Sequence, residues 1–219
     1  ISIIATKRLE RNEFGLIGNW RMEEGDGNEA ADHIRYRNAK IYGNWSMEPV
    51  GYAYELASDG YLTAPSISFT KENDFTIEFW FKRGASADSV TLFSNGIGDS
   101  RDSNAAGWAI GTDTQGKLII SNNGDKLVAT NSSVLDNQWH HLSVAVNRIT
   151  NTNVYLDGSE VVSYDGANWT SFGGSKLWFG CRGWFNGAIE TRDQYFNGSF
   201  DEIRIWSKAK NAELVDIQK

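Results

Sequence analysis

The sequence predicts an all-β fold, a two-sheet antiparallel jelly-roll sandwich with a short C-terminal helix. Three observations predict it. Nine Trp, eight Tyr and eleven Phe stand against two Pro, a balance that favours extended backbone. Apolar and polar residues alternate in short runs bounded by turn residues. Asn-Gly and Asp-Gly pairs, which accept the positive φ angles of tight hairpins, separate runs fit to pair antiparallel.

Taken in order, Leu16–Met22 is the first strand. Phe75-Thr-Ile-Glu-Phe-Trp-Phe81 is the richest in aromatic and β-branched residues. Val90–Ser94 and Trp108–Gly111 follow. Lys117–Ser121 and Lys126–Thr130 flank Asn122-Asn123-Gly124-Asp125, and Asn153–Leu156 and Ser159–Val162 flank Asp157-Gly158, so each couple reads as a hairpin. Between them lies His140–Asn147, with Leu142, Val144 and Val146 on one face. Lys176–Gly180 and Phe200–Trp206 complete a set on the order of twelve strands. Ala212, Leu214, Val215 and Ile217 give Ala209–Ile217 a helical period. Residues 1–13 crowd Lys7, Arg8, Glu10, Arg11 and Glu13 without an apolar face and read as a linker from a preceding domain. Residues 14–219 form the domain. Two stretches read as long loops, Asn95–Gly107 and Arg182–Gly198, the kind of segment that carries function.

Composition narrows the function. A net charge of −7 over 219 residues argues against duplex nucleic acid, whose binding rests on cations neutralising phosphates. No apolar run approaches the roughly 18 residues of a membrane span, so membrane insertion is not expected. Cys181 is the single cysteine, which rules out an intrachain disulfide and a cysteine-based zinc site, and it reads as a buried strand residue. Gly111-Thr-Asp-Thr-Gln-Gly116-Lys117 approaches a phosphate loop. However, Leu118 stands where Ser or Thr would hold magnesium, and a strand follows instead of a helix. The three His form neither a zinc helix pattern nor a hydrolytic triad, and no nucleophile elbow is present. Glycoside hydrolysis wants two carboxylates facing each other across a sugar. The best candidate strand, Thr76–Lys82, holds only Glu78, so no enzymatic activity is expected.

The informative acids are Glu24 and Asp201. Glu24 shares strand parity with Leu16, Trp20 and Met22, and Asp201 with Ile203 and Ile205. If the apolar members face the core, the carboxylates do too, and each then needs a partner. Backbone N–H groups of a neighbouring loop would serve. So would a hard cation such as calcium, which accepts six to eight oxygens in loose geometry.

Five segments stand in an order that resembles a known family: Trp20-Arg-Met-Glu-Glu24-Gly25, Phe75-Thr-Ile-Glu-Phe-Trp80-Phe-Lys, Trp139-His-His-Leu-Ser-Val-Ala-Val, Val154-Tyr-Leu-Asp157-Gly158 and Phe196-Asn-Gly198-Ser-Phe-Asp201-Glu202-Ile-Arg-Ile-Trp206. They resemble the laminin-G-like domains of the concanavalin-A-like lectin/glucanase superfamily, over about residues 14–218. The resemblance implies two curved sheets and a non-catalytic binding module of a larger secreted or cell-surface protein, whose partner is a glycan or a cell-surface protein. It also implies a structural calcium near the first and last strands. That points to Asp201 and Glu24, with Asp32 from the following loop. Relatives often carry a small Gly-containing turn after that loop acid, whereas Asp32 is followed here by His-Ile-Arg-Tyr-Arg-Asn38.

Sugars stack on exposed rings and hydrogen-bond to polar neighbours. Trp20, Trp80 and Trp139 sit in the strand motifs and are expected in the core. The expected ligand contacts are Trp184, Phe185 and Arg182 of the second long loop and Trp108 beside the first. Carbohydrate binding or adhesion predicts exposed, coplanar aromatics on the concave face or its rim. A ligand-free structural spacer predicts a polar, aromatic-poor concave face, and a hydrolase predicts two facing carboxylates at hydrolase spacing. Four Asn-x-Ser/Thr sequons, at Asn44, Asn131, Asn168 and Asn197, are glycosylation sites only in a host that modifies them.

Overall fold

The computed structural model describes residues 14–48, 51–67, 69, 73–84, 86, 88–96, 107–122, 125–169, 176–186 and 188–210. Strands are numbered in chain order. Sheet 1 contains β1 (Leu16–Trp20), β4 (Asn44–Met47), β5 (Tyr52–Leu56), β7 (Phe75–Arg83), β12 (Trp139–Val146), β13 (Asn151–Leu156), β14 (Ser159–Asp165) and β18 (Gly198–Trp206). Its order is β14-β13-β12-β7-β18-β5-β4, and β1 also pairs with β18. Sheet 2 contains β2 (Glu29–Ala30), β3 (Ala39–Tyr42), β6 (Tyr61–Pro65), β8 (Val90–Ser94), β9 (Trp108–Thr112), β10 (Lys117–Asn122), β11 (Asp125–Ser133) and β15 (Lys176–Phe179). Its order is β11-β10-β9-β8-β15-β6-β3-β2. A separate hairpin joins β16 (Arg182–Asn186) to β17 (Ile189–Asp193).

The expected two-sheet antiparallel sandwich is therefore present, and the strands outnumber those read from the sequence. The hairpin β13–β14 turns at Asp157-Gly158, both at positive φ (51° and 77°), as the Asp-Gly pair requires. β10 and β11 pair with Asn122 opposite Asp125, which bears out the second hairpin. The expected linker 1–13, most of the expected helix Ala209–Ile217 and most of the loop Asn95–Gly107 lie outside the described residues.

Alternation builds the core. Ile77, Phe79 and Phe81 of β7, and Leu142, Val144 and Val146 of β12, are fully buried and meet the inward side chains of sheet 2. At one end the Trp108 indole packs against Phe93 (4.6 Å between ring centroids), Trp169 (5.0 Å), Phe75 (5.3 Å) and Phe69 (5.5 Å). Trp20 is in the core as expected, 6.2 Å from Phe179. Trp80 and Trp139 are not: register places them on the outer face of sheet 1, half-buried, with His141 opposite Trp80 and Lys82 opposite Trp139.

One irregularity in β18 changes which residues face outward. Asp201 pairs with Trp80 and Arg204 with Glu78, so β18 carries one residue more than β7 over this interval. Glu202, at φ 49°, absorbs the excess as a bulge. Phe200 faces the core on one side of the bulge, and Ile203 and Ile205 on the other. Asp201 therefore lies on the outer face with Trp80, and the expectation that it shares a face with Ile203 and Ile205 is overturned.

The start of β12 is held by a titrating contact. His140 lies between Asp157 (Nδ1 to Oδ2, 2.8 Å) and Asp136 (Nε2 to Oδ1, 3.1 Å). Burial alone would lower the imidazole pKa, but hydrogen bonding and charge from both carboxylates outweigh it and raise the pKa above its ordinary 6.5. A raised folded-state pKa contributes stability that is complete below the unfolded value and is lost as pH rises through the folded one. Burial would raise Asp136, but the Gln138 amide and His140 hold it below its ordinary 3.8, so its contribution disappears only in acid. His140→Ala is expected to cost about 1–2 kcal/mol near pH 6 and clearly less at pH 9, read by urea unfolding at both pH values.

Candidate functional site

The segment Arg182–Gly198, expected as a loop, contains the hairpin β16–β17, with Trp184 opposite Thr191 and Phe185 opposite Glu190. The hairpin lies on the outer face of sheet 2, away from the main core. Gly183 rests directly on the Trp178 indole, where an added Cβ would come within 2.5 Å of the ring. The Gly183 amide donates to Ser94 Oγ (3.1 Å), which donates to the Cys181 carbonyl (3.1 Å). Trp178, Cys181 and Tyr61 form a small buried cluster beneath, with Tyr195 packed against it. Burial pushes the Cys181 thiol pKa well up, so it is an unreactive packing residue.

Arg182 does not face a ligand. Its side chain is 6% exposed and pairs bidentately with Asp193, through Nε (2.7 Å to Oδ1) and through Nη2, clamping the base of the hairpin. Trp184 is half-buried, its ring 5.8 Å from the Arg182 guanidinium. Phe185 is 39% exposed, 6.0 Å from Trp178 and 5.6 Å from Lys176 Nζ. Trp108 is fully buried in the core, so its expected ligand contact is corrected. Sequence reading took it as a loop neighbour, but it is the first residue of β9 and its side chain turns inward.

The structure brings other residues to Phe185. Glu190 accepts from Lys176 Nζ (2.6 Å), Arg192 Nη1 (2.6 Å) and Trp178 Nε1 (3.4 Å). Burial would raise its pKa, but these hydrogen bonds and the two cations hold it below the ordinary carboxylate value. The Arg192 guanidinium lies 4.5 Å from the Tyr61 ring, and Tyr61 stacks on Tyr42 (4.4 Å, 15° between planes). Burial pushes the Tyr61 phenol up to about 12 against the pull of Arg192. Tyr42, 47% exposed, and Ile189, 70% exposed, carry the apolar surface outward. The result is a surface of aromatic faces interleaved with Lys176, Glu190 and Arg192. Such a surface offers ring stacking to the apolar face of a sugar and charged donors and acceptors to its hydroxyls. Sequence reading missed Tyr42, Tyr61, Lys176, Glu190 and Arg192. One signal for the hairpin was present: an Asn-Gly pair, Asn186-Gly187, begins at the last residue of β16, as Asn123-Gly124 follows β10.

The outer face of sheet 1 is occupied differently. Glu78 is fully buried; it accepts from Lys210 Nζ (3.0 Å) and Trp206 Nε1 (3.0 Å), with Arg204 Nη1 at 3.7 Å. A carboxylate so engaged is not free to act as an acid or base on a substrate. Further along, Glu48 accepts from Lys82 Nζ (3.1 Å) and Trp139 Nε1 (3.4 Å).

The three carboxylates expected around calcium do not form a ligand set. Asp32 Oδ1 accepts from the amides of Asn19 (3.1 Å) and Ile34 (3.0 Å), and Oδ2 from those of Arg35 (3.2 Å) and Arg37 (3.3 Å). Glu24 Oε1 accepts from the Ala31 amide (3.0 Å). Among the described residues, no three His, Cys, Asp or Glu side chains come together. At Asp32 the backbone amides occupy both carboxylate oxygens, whereas the buried Glu24 Oε2 has no hydrogen-bond partner among the described residues.

Comparison with known proteins agrees with this architecture. Residues 56–216 match the laminin-G-like family described as the concanavalin A-like lectin/glucanases superfamily. The chain belongs to that superfamily. Within it, the chain is 27% identical over 164 residues to the non-toxic nonhemagglutinin of Paraclostridium bifermentans, a match covering 70% of this chain and 14% of that protein. It is 32% identical over 80 residues to the non-toxic nonhemagglutinin type D of a Clostridium botulinum D phage, covering 35% and 6%. The chain thus spans a small part of these relatives. Among solved structures, the binding domain of Paraclostridial Mosquitocidal Protein 1 superposes with a TM-score of 0.67 at 16% identity, covering 91% of this chain and 50% of that one. A botulinum neurotoxin type C structure, from work on cell entry through two ganglioside molecules, gives 0.62 at 16% identity, with 91% and 49% covered. The binding domain of botulinum neurotoxin DC in complex with SialylT gives 0.62 at 14% identity, with 91% and 50% covered. These solved structures share its fold.

Proposed function

We propose that this concanavalin A-like domain is a non-catalytic binding module of a larger secreted protein and engages a cell-surface glycan through the β16–β17 hairpin. The observation that carries the reading is the hairpin surface itself, where Phe185 and Tyr42 are exposed beside the hydrogen-bonding set Lys176, Glu190 and Arg192. Rings displayed in this way favour a ligand over a ligand-free spacer. Neighbours of the same fold include domains described with gangliosides, SialylT and rat synaptotagmin II, which supports a glycan or a cell-surface protein as partner. An extracellular setting follows from that reading.

The test is a glycan array followed by titration of the best ligand. Phe185→Ala and Tyr42→Ala are each expected to weaken binding by about 1–2 kcal/mol. Both residues are substantially exposed, so stability should move by no more than about 0.5 kcal/mol. Unaltered affinity in both variants would remove the hairpin from the site. Loss of binding to a protein receptor, with no glycan bound by the parent domain, would favour a protein partner.

A further inference from the structure

Residues 31–38, between β2 and β3, form a hydrogen-bonded loop built around Asp32. Its carboxylate takes four backbone amides, its own amide donates to Asn38 Oδ1 (3.2 Å), and its carbonyl accepts from the Tyr36 amide (3.3 Å). Arg37 is drawn inward, where Nη2 donates to the Ile17 carbonyl (2.6 Å) and Nε lies 3.8 Å from Asp32 Oδ2. Trp20 Nε1 donates to the Arg37 carbonyl (3.1 Å), which ties the loop to the core.

What this frame displays is cationic and aromatic. His33, Arg35, Tyr36 and Lys40 are exposed, in a chain of net charge −7. Lys40 stands opposite Glu29, which also accepts from Asn38, so part of its charge is balanced. Asp32 offers Arg35 little compensation, because its oxygens are committed to amides and to Arg37. Tyr36 is 77% exposed at φ 57°. A bulky residue in the left-handed region is strained, and Asn or Gly would make the same turn without that strain.

We propose that the 31–38 loop is a second, independent saccharide site that takes an acidic sugar, with Arg35 and His33 on its carboxylate or sulfate and the Tyr36 ring against the sugar face. The proposal does not rest on the hairpin site. It also reverses the sign of the ligand expected here: with the Asp32 lone pairs turned to the protein, the loop presents donors and positive charge to an anion.

The experiment is titration of the 219-residue chain with a heparin-derived hexasaccharide and 3′-sialyllactose, with lactose as the neutral control, at low and raised salt. At least one acidic saccharide should bind more tightly than lactose, and less tightly as salt rises. Arg35→Glu should weaken it by about tenfold, the worth of one hydrogen bond to a charged group, and Tyr36→Asn, which removes the ring from the sugar face, should also weaken it. Equal binding of lactose and both acidic sugars would overturn the proposal, as would unaltered affinity in folded Arg35→Glu. A loss matched by the remote Lys126→Glu would show general charge attraction and would also overturn it. Binding to phosphoinositide vesicles but to neither saccharide would overturn the sugar assignment.

Discussion

Trp108→Ala should lower the unfolding free energy by about 3–5 kcal/mol, the range for deleting a buried indole. For a chain of this size that corresponds to a fall of about 10 °C in Tm. The indole is fully buried and ringed by Phe69, Phe75, Phe93 and Trp169, so its removal opens a cavity at the junction of both sheets. Trp108→Phe should be much milder, since the indole Nε1 has no hydrogen-bond acceptor among the described residues and a ring would still fill most of the space. Denaturant unfolding of both variants measures the difference. Glycan affinity of the folded Ala variant should match the parent; a binding loss at unchanged stability would contradict the core placement.

The second large effect is expected on the outer face of sheet 1. Lys210→Met removes the ammonium 3.0 Å and 3.1 Å from the two oxygens of the buried Glu78. Breaking one side of such a pair strands a charge away from water and should cost about 3–5 kcal/mol. Glu78→Gln should also destabilise, because it leaves Lys210 and Arg204 together without a full counter-charge. The double variant should be more stable than the sum of the single losses implies, since replacing both partners by neutral groups removes the desolvation penalty together with the attraction. Strictly additive losses in equilibrium unfolding would show that the two groups do not act as a pair.

Much of this architecture was legible because it rests on local rules. Asp157-Gly158 announces a turn that only positive φ can make, and Leu142, Val144 and Val146 announce an inward face by their period alone. What escaped depends on events that a period cannot carry. The extra residue at Glu202 inverts the parity of β18, so Asp201 joins Trp80 on the outer face despite matching Ile203 in spacing. Trp80 and Trp139 look like core residues because they are large and apolar, yet pairing with β12 and β7 turns them outward. The β16–β17 hairpin lacks an apolar row because it packs through the bare backbone of Gly183, and its apolar contact is one indole instead of a sheet. Asp32 entered only through the family resemblance, as a calcium ligand; its burial could not be read from strand parity because it lies in a loop, and four backbone amides occupy its carboxylate.

β1 and β18 run antiparallel with Leu16 opposite Trp206, and the Ser207 amide donates to the Gly15 carbonyl at 2.7 Å. The chain therefore enters and leaves this strand pair at the same end. Tension applied through the flanking segments would pull the two strands apart like a zipper, loading one rung at a time, instead of shearing all the rungs together. A domain strung in this way would yield first at its attachment point while the hairpin, held by other strands, kept its shape; the 31–38 loop, tied to Ile17, Asn19 and Trp20 of β1, would feel the load with the seam. Mechanical load carried along a longer chain would thus reach the β1–β18 seam, and the loop bound to it, before it reached the hairpin.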